Sequence, residues 1–253
     1  MYYLGNSRVY WNCPDECMAE YVEKNRKGES MNLRHEWKHE INAADMITLR
    51  LRLRAVMKTD AHAVMGKYEV RSLYFDNEAD KVLMEKVNGV AYREKFRIRY
   101  YNNDTTRLML EKKSKYNCLG HKQTAALTTE EAQAIADGQY HWMVQSRQEL
   151  IRELYSKIKS QGLRAKTIVH YTREPYVFEP GNVRVTLDYN IRTGYHCTNF
   201  LNPDCVMIPA GEQTAVLEVK WDAFLPDIIR DVVQLEGRQT AAFSKYQVCR
   251  MYG

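Results

Sequence analysis

The chain has 253 residues and a hydrophobic content of 45%, which is enough to bury a sizeable core in one large domain or two small ones. Its 37 basic and 32 acidic residues leave a net charge of only +5, too small for a protein that coats DNA non-specifically, so we expect no nucleic-acid partner. The sequence has no apolar run near the ~20 residues of a transmembrane segment and no signal peptide, which predicts a cytoplasmic protein.

Residues 1–30 differ in composition from the rest of the chain. They carry four basic and five acidic residues, whereas the chain as a whole has a basic excess. No repeat, low-complexity stretch or linker marks a further boundary. We therefore predict that residues 1–30 are an appendage outside the core and that residues 31–253 form one domain.

The first predicted elements are a strand at 33–41 and a helix directly after it. The segment that reads LRLRLR alternates like a strand, but Leu49 and Leu53 belong to an apolar set at helical spacing. Asn42 and Asp45 are both suited to cap such a helix. We therefore favour the helix.

The later elements are strands interspersed with short helices. Strands are predicted at 68–75, 82–88, 91–101, 107–115, 165–173, 175–179, 183–190 and 214–221. Helices are predicted from the capping box at 128–131 to Gly138, at 142–160, from Pro226 to about Leu235 and at 240–250. Asn88-Gly89 is typical of a hairpin turn, and 193–212 is typical of a loop. Many antiparallel strands with flanking helices indicate an α+β fold whose sheet curls around a charged face.

Basic side chains recur at every second position of one predicted strand. The sequence YREKFRIRY at 92–100 places Arg93, Lys95, Arg97 and Arg99 on one face, because residues two apart in a strand point to the same side. Other segments alternate charged and polar residues in the same way: Arg34, Glu36, Lys38 and Glu40; Glu111, Lys113 and Lys115; Arg184, Thr186 and Asp188; Glu218 and Lys220. Such strand faces indicate a surface built around a polyanion and a metal ion.

An ordered set of short motifs over residues 33–253 resembles the VTC domain, the polyphosphate-polymerase branch of the triphosphate tunnel metalloenzymes. The motifs are Glu36-x-Lys38, SLYFDN at 72–77, RIR at 97–99, LEKKSK at 110–115, Tyr171-Thr172-Arg173, Arg184-x-Thr186-Leu187-Asp188, Leu217-Glu218-x-Lys220 and Ser244-Lys245-Tyr246. The first strand reads E-x-K-x-E where the wider superfamily has E-x-E-x-K, which leaves the metal role of Glu36 open.

The resemblance implies an antiparallel β-barrel tunnel with flanking helices. Its implied reaction transfers the γ-phosphate of ATP to a growing polyphosphate chain, with Mn²⁺ or Mg²⁺ as cofactor. By the same resemblance Glu218 is the metal ligand. The implied catalytic residues, all of which contact phosphate, are Arg97, Arg99, Lys113, Arg173 and Lys245. The implied further phosphate-binding residues are Lys38, Lys122, Tyr171 and Arg184.

Three functions remain open. The first is the polyphosphate polymerase, the second is a hydrolase of triphosphate, and the third is a non-catalytic module that binds polyphosphate or nucleotide. Transfer and hydrolysis differ in whether phosphate or water accepts the phosphoryl group, and the sequence contains no evident base that decides between them. Phosphoryl transfer depends mainly on positioning and charge, so the lack of an obvious nucleophile is compatible with an enzyme.

Overall fold

A computed structural model describes residues 34–116, 119–211, 215–235, 237 and 243–253. The predicted appendage at 1–30 lies outside these residues. The described strands are β1 (His35–Ile41), β2 (Lys58–Thr59), β3 (Tyr68–Asp76), β4 (Tyr92–Tyr101), β5 (Asp104–Tyr116), β6 (Leu119–Leu127), β7 (Arg164–Phe178), β8 (Val183–Gly194), β9 (Met207–Pro209) and β10 (Ala215–Trp221). The described α-helices are α1 (Ala43–Val56), α2 (Lys81–Val87), α3 (Thr129–Ala136), α4 (Glu149–Gln161), α5 (Asp227–Val233) and α6 (Lys245–Tyr252).

The strands form one antiparallel sheet that curls into a tunnel. Its order is β1-β10-β8-β7-β3-β4-β5-β6, with β2 added beside β7 and β9 beside β8. The two ends of this path meet, because Arg34 forms an isolated antiparallel bridge with Gly120 at the start of β6. An ion pair also connects β1 with β5, the neighbour of β6, because Lys113 Nζ lies 3.4 Å from Glu36 Oε2. The predicted α+β tunnel is therefore confirmed.

The outer face of the sheet is apolar and is covered by helices on two sides. On one side, Phe96 and Ile98 of β4 pack with Leu154 and other residues of α3 and α4. On the opposite side, the outward residues of β8 and β10 pack with Leu49 of α1 and Ile229 of α5. Because successive strand residues point to opposite faces, this outer packing directs the intervening polar residues into the tunnel.

The helix predicted after the first strand is confirmed as α1. Asn42 Oδ1 accepts a hydrogen bond from the Asp45 backbone N–H at 2.9 Å, and Asp45 Oδ2 accepts one from the Asn42 N–H at 3.0 Å. This reciprocal capping box fixes the helix start. Leu49 and Leu53 are fully buried, so the helical apolar set and not the LRLRLR alternation decides the structure of the segment.

The strand predicted at 82–88 is wrong, because this segment forms α2. Asp76 is fully buried at the end of β3, and its carboxylate accepts hydrogen bonds from the backbone N–H groups of Val82 at 2.9 Å and Leu83 at 3.1 Å. These two donors belong to the first turn of α2, where a helix leaves N–H groups without internal partners. The predicted hairpin turn at Asn88-Gly89 instead ends the helix, with Gly89 at φ 66°.

Several other boundaries differ from the prediction. Strand β6 was missed, and the helix predicted at 142–160 is a 3-10 helix at His141–Gln145 followed by α4. The strands predicted at 165–173 and 175–179 are one strand, β7, which continues through Pro175. The loop predicted at 193–212 contains β9 and the end of β8, and Pro226 is the N-cap of α5. Helix α3 lies where it was predicted, and α6 overlaps the helix predicted at 240–250 but runs from Lys245 to Tyr252.

Candidate functional site

A cavity of about 1840 Å³ fills the tunnel. Among the described residues, fifteen basic side chains but only six acidic ones line it, so the small basic excess of the chain is concentrated in one place. The structure brings all ten site residues predicted from the sequence to the wall of this cavity: Lys38, Arg97, Arg99, Lys113, Lys122, Tyr171, Arg173, Arg184, Glu218 and Lys245. Their roles in binding and catalysis remain predictions, whereas their convergence is a property of the fold.

Glu111 organises the basic residues of β4 and β6. Its buried carboxylate, 3% exposed, accepts a hydrogen bond from Arg97 Nε at 2.8 Å and another from Arg99 Nη2. Lys122 Nζ lies 2.8 Å from its Oε1. Burial opposes ionisation, but these three cations outweigh it and lower the pKa of Glu111 to about 2. Arg97 also donates from Nη1 to the Tyr74 hydroxyl at 2.8 Å, so hydrogen bonds to Glu111 and Tyr74 together fix the orientation of its guanidinium group.

Asp188 forms a second buried centre around which cations are arranged. Arg173 donates to its two oxygens at 2.6 and 2.7 Å, and Lys245 Nζ lies 2.6 Å from Oδ2. The carboxylate is fully buried, yet Arg173 and Lys245 lower its pKa against the effect of burial. The Tyr171 ring lies under both cations, 5.4 Å from the Arg173 guanidinium carbon and 4.8 Å from Lys245 Nζ.

Glu36 and Glu218 form the third centre, on the facing strands β1 and β10. The register pairs Glu36 with Lys220 and Lys38 with Glu218, so each carboxylate lies opposite an ammonium group. Lys38 Nζ is 3.1 Å from Glu36 Oε2 and 3.6 Å from Glu218 Oε1, and Lys220 Nζ is 3.0 Å from Glu218 Oε1. Burial raises the pKa of Glu218, but Lys220 and Lys38 hold it well below its ordinary value.

The two carboxylates of this third centre fit a divalent ion that takes its remaining ligands from phosphate and water. Among the described residues, no group of three or more His, Cys, Asp or Glu side chains is arranged to hold a metal ion. Mg²⁺ commonly binds through one or two carboxylates together with substrate phosphates, and this is the donor set that Glu36 and Glu218 offer. Glu36 is therefore the residue that would share such an ion with the predicted ligand Glu218.

Helix α6 is anchored beside the cavity through Tyr246. The Tyr246 hydroxyl donates to Asp76 Oδ2 at 2.6 Å, and its ring lies 5.1 Å from that of Tyr74. Ser244 caps the helix by accepting the Gln247 N–H at 3.3 Å. These contacts fix the first turn of α6, where Lys245 points at Asp188. A lysine in an exposed helix would be mobile, whereas Lys245 is held in the wall of the cavity.

Arg184 differs from the other predicted residues because its partner comes from outside the strands of the tunnel wall. Its Nη2 is hydrogen-bonded to the carboxylate of Asp60, in the segment that follows β2. Asp60 also accepts the backbone N–H of His62 at 3.0 Å, and its pKa is lowered because these hydrogen bonds and Arg184 outweigh burial. The Arg184 side chain is 39% exposed, so it lies at a more open part of the cavity than Arg97 or Arg173.

Among the described residues, seven basic residues of the cavity were not in the predicted site: Arg34, Lys86, Arg93, Lys95, Arg107, Lys115 and Lys220. Three of them, Lys95, Lys115 and Lys220, lie two positions from a predicted site residue in the same strand, and the period-two rule had already placed them on the same strand faces without a site role. Lys86 could not be found in this way, because it lies in α2, where a strand was predicted.

An antiparallel tunnel with a basic interior and a few buried carboxylates defines a triphosphate tunnel protein. The sequence matches the VTC domain over residues 33–252, and the chain therefore belongs to the VTC domain family. No curated protein matches the chain.

Solved structures with a similar fold are distant in sequence. The PH1819 protein of Pyrococcus horikoshii OT3 is 13% identical, with a match that covers 85% of this chain and 97% of that chain at a TM-score of 0.44. The PH1012 protein of the same organism is 14% identical, with 85% and 98% covered and a TM-score of 0.44. Such distant likenesses say nothing about activity.

None of the helices in the described part of the chain has the length and apolar character needed to cross a membrane.

Proposed function

We propose that this protein is an ATP-dependent polyphosphate polymerase, which transfers the γ-phosphate of ATP to a growing polyphosphate chain inside the tunnel. The observation that carries the proposal is the convergence of ten predicted site residues on one cavity in a chain of the VTC domain family. A chain of phosphates carries many negative charges, and no single lysine neutralises it. Arginine forks bind phosphate oxygens in pairs, and lysines add point charges.

The size of the cavity favours a polymer over a small triphosphate. Ordinary small-molecule pockets measure roughly 300–1,000 Å³, and the tunnel measures about 1840 Å³. The excess volume suits a nucleotide and an acceptor chain bound together. Basic residues from β1, β4, β5, β6, β7, β8, β10 and α6 surround that volume, so successive phosphates along a chain would each meet a cation.

The state of the buried carboxylates favours transfer to phosphate over hydrolysis. A water nucleophile benefits from a general base whose pKa lies near the operating pH. Glu111, Asp188 and Glu218 are held ionised by neighbouring cations, and their lowered pKa values make them weak bases. A phosphate acceptor is already anionic at neutral pH and needs no base. Hydrolysis of triphosphate remains the second candidate, and binding without turnover the third.

The side chains divide the chemistry between orientation and charge stabilisation. Arg97 and Arg99 are held by Glu111, and Arg173 and Lys245 by Asp188, so each cation keeps its direction before a phosphate arrives. Preorganised donors of this kind stabilise charge that develops on a transferred phosphoryl group without first having to reorganise. Glu36 and Glu218 would hold Mn²⁺ or Mg²⁺, which supplies charge neutralisation between phosphates when it is bound.

The test is a reaction of the purified protein with ATP and Mn²⁺, with products separated on a gel stained for polyphosphate. A ladder of chains supports the polymerase. Free phosphate without a ladder supports the hydrolase, and no turnover together with binding of polyphosphate supports the binding module. A Lys113→Met variant controls for a contaminating kinase, because loss of a tunnel cation should abolish the ladder.

A further inference from the structure

Lys95 lies in the middle of the basic face of β4 and is absent from the predicted site. It is opposite Lys113 in the β4–β5 register, and it lines the cavity. Its side chain is half-buried, and its ammonium nitrogen lies 5.6 Å from the centre of the Tyr74 ring. The position places one more amine within reach of anything that occupies the tunnel between Arg97 and Lys113.

Lys95 lacks the acidic partner that the lysines of the predicted site on nearby strands have. Lys38 has Glu36 at 3.1 Å, Lys113 has Glu36 at 3.4 Å and Lys122 has Glu111 at 2.8 Å. Lys95, by contrast, forms no ion pair with any residue in the described parts of the chain. A charged amine without a counterion is costly to keep in a partly desolvated site.

The groups that face Lys95 are mainly cations. Arg97 shares its strand face, Lys113 faces it from β5 and Lys38 faces it from β1. Glu36 is the acid that acts on it, and Tyr74 faces it from β3. Burial, followed by the charges of Lys113, Lys38 and Arg97, holds the pKa of Lys95 well below its ordinary value, with Glu36 opposing them only in part.

We propose that Lys95 is a further phosphate-binding residue, and that it takes up its proton together with the phosphate chain. A bound chain brings several negative charges between Lys95, Arg97 and Lys113, and so reverses the field that discourages protonation. The amine then becomes a charged donor to a phosphate oxygen, the stronger kind of hydrogen bond. The inference rests on the proposed function only in taking phosphate chains as the ligand of the tunnel.

Isothermal titration calorimetry with tripolyphosphate, without added metal, tests this coupling. Titrations at about pH 8.5 are run in two buffers with different ionisation enthalpies, and the difference gives the number of protons taken up. The variants are Lys95→Met, which cannot be charged, and Lys95→Arg, which is always charged. Lys58→Met is the control, because Lys58 is an exposed lysine outside the cavity.

We expect wild type and Lys58→Met to bind with the same proton uptake. Lys95→Met should take up about one proton fewer and bind about tenfold or more weakly. Lys95→Arg should take up about one proton fewer but keep most of the affinity, which a merely structural role would not produce. Lys113, whose pKa burial lowers to about 8, contributes uptake in every variant, so the difference between variants is the quantity that counts.

Equal proton uptake in wild type, Lys95→Met and Lys95→Arg would overturn the inference and leave the proposed function standing. Unchanged affinity in Lys95→Met would overturn it as well, because the amine would then not contact phosphate. Failure of the wild-type protein to bind tripolyphosphate would overturn both the inference and the proposed function.

Discussion

Replacing Glu111 by Gln should destabilise the empty protein and make its stability more dependent on phosphate. The substitution keeps the shape of the side chain but removes the charge that Arg97, Arg99 and Lys122 share. Lowering the pKa of a carboxyl group from its ordinary 4.5 to about 2 corresponds to about 3 kcal/mol of stability at neutral pH. Burial first, and neighbouring cations second, lower the pKa values of Arg99 and Lys122, which means that keeping these two groups charged costs free energy. About 3 kcal/mol is therefore the upper end of the expected loss of stability.

A loss of stability of this size should give a measurable change in melting temperature. For a domain of this size, each kcal/mol shifts the Tm by about 2–4 °C, so Glu111→Gln should melt about 6–12 °C below wild type at pH 7. Because the folded-state pKa is depressed, the stabilisation is complete above pH 4.5 and is lost as the pH falls towards about 2. The difference in Tm between wild type and Glu111→Gln should therefore become smaller as the pH falls from 4.5 towards about 2.

Tripolyphosphate should reverse much of the loss, because the bound anion supplies the countercharge that Gln lacks. A ligand that binds only the folded state at a hundredfold excess over its Kd adds about 2.7 kcal/mol. We expect a larger Tm rise for Glu111→Gln than for wild type, and a larger rise with tripolyphosphate than with sulfate at equal ionic strength. Glu179→Gln, at an exposed ion pair with Lys58, should stay within about 0.5 kcal/mol of wild type. A wild-type Tm for Glu111→Gln, or equal shifts with both anions, would refute the reasoning.

Three further predictions concern turnover and the domain boundary. Arg97→Ala and Arg99→Ala should each reduce phosphoryl transfer at least about tenfold in folded protein, because one charge-assisted contact of roughly 1.5–3 kcal/mol is lost; wild-type rates would remove both residues from the site. Glu218→Gln should abolish most activity, with only partial recovery at high Mn²⁺, whereas an unchanged Mn²⁺ dependence would locate the metal elsewhere. The fragment 31–253 should match the full-length chain in Tm and ATP turnover, and a large loss in either would show that residues 1–30 belong to the core.

The wall of the tunnel could be predicted from the sequence because it depends on a local rule. The alternation of basic and apolar residues along β4 fixes which side of the strand each residue occupies, and the structure confirms it for Arg97 and Phe96. Helix α1 was predictable for a similar reason, since its capping box and buried leucines are all within one short segment. In both cases the deciding contacts follow from spacing within the element.

The errors occurred where contacts from outside the segment decide its structure. Helix α2 has no buried side chain of its own. It begins where the carboxylate of Asp76, at the end of β3, accepts hydrogen bonds from backbone N–H groups in the first turn of the helix. Strand β6 contains Gly, Ala and Gln where a strand signal needs β-branched residues, and its place depends on pairing with β5. Neither influence can be read from the composition of the segment.

The pairing of the buried carboxylates with cations could not be predicted from residue spacing either. Asp188 was part of a recognised motif, but its pairing with Lys245 joins residues 57 positions apart, and only the register of β7, β8 and α6 brings them together. The organisation of the cations around Glu111, Asp188 and the Glu36–Glu218 pair is therefore the principal addition that the structure makes to the sequence.

The central claim is that the γ-phosphate of ATP is transferred to a phosphate chain and not to water. The most direct measurement follows γ-labelled ATP in the presence of Mn²⁺ and a tripolyphosphate acceptor, and quantifies ADP, labelled free phosphate and labelled polymer in the same reaction. The proposed function predicts that each ADP released is matched by one labelled phosphate in the polymer, with little free phosphate. ADP matched by free phosphate, with no label in the polymer, would contradict it.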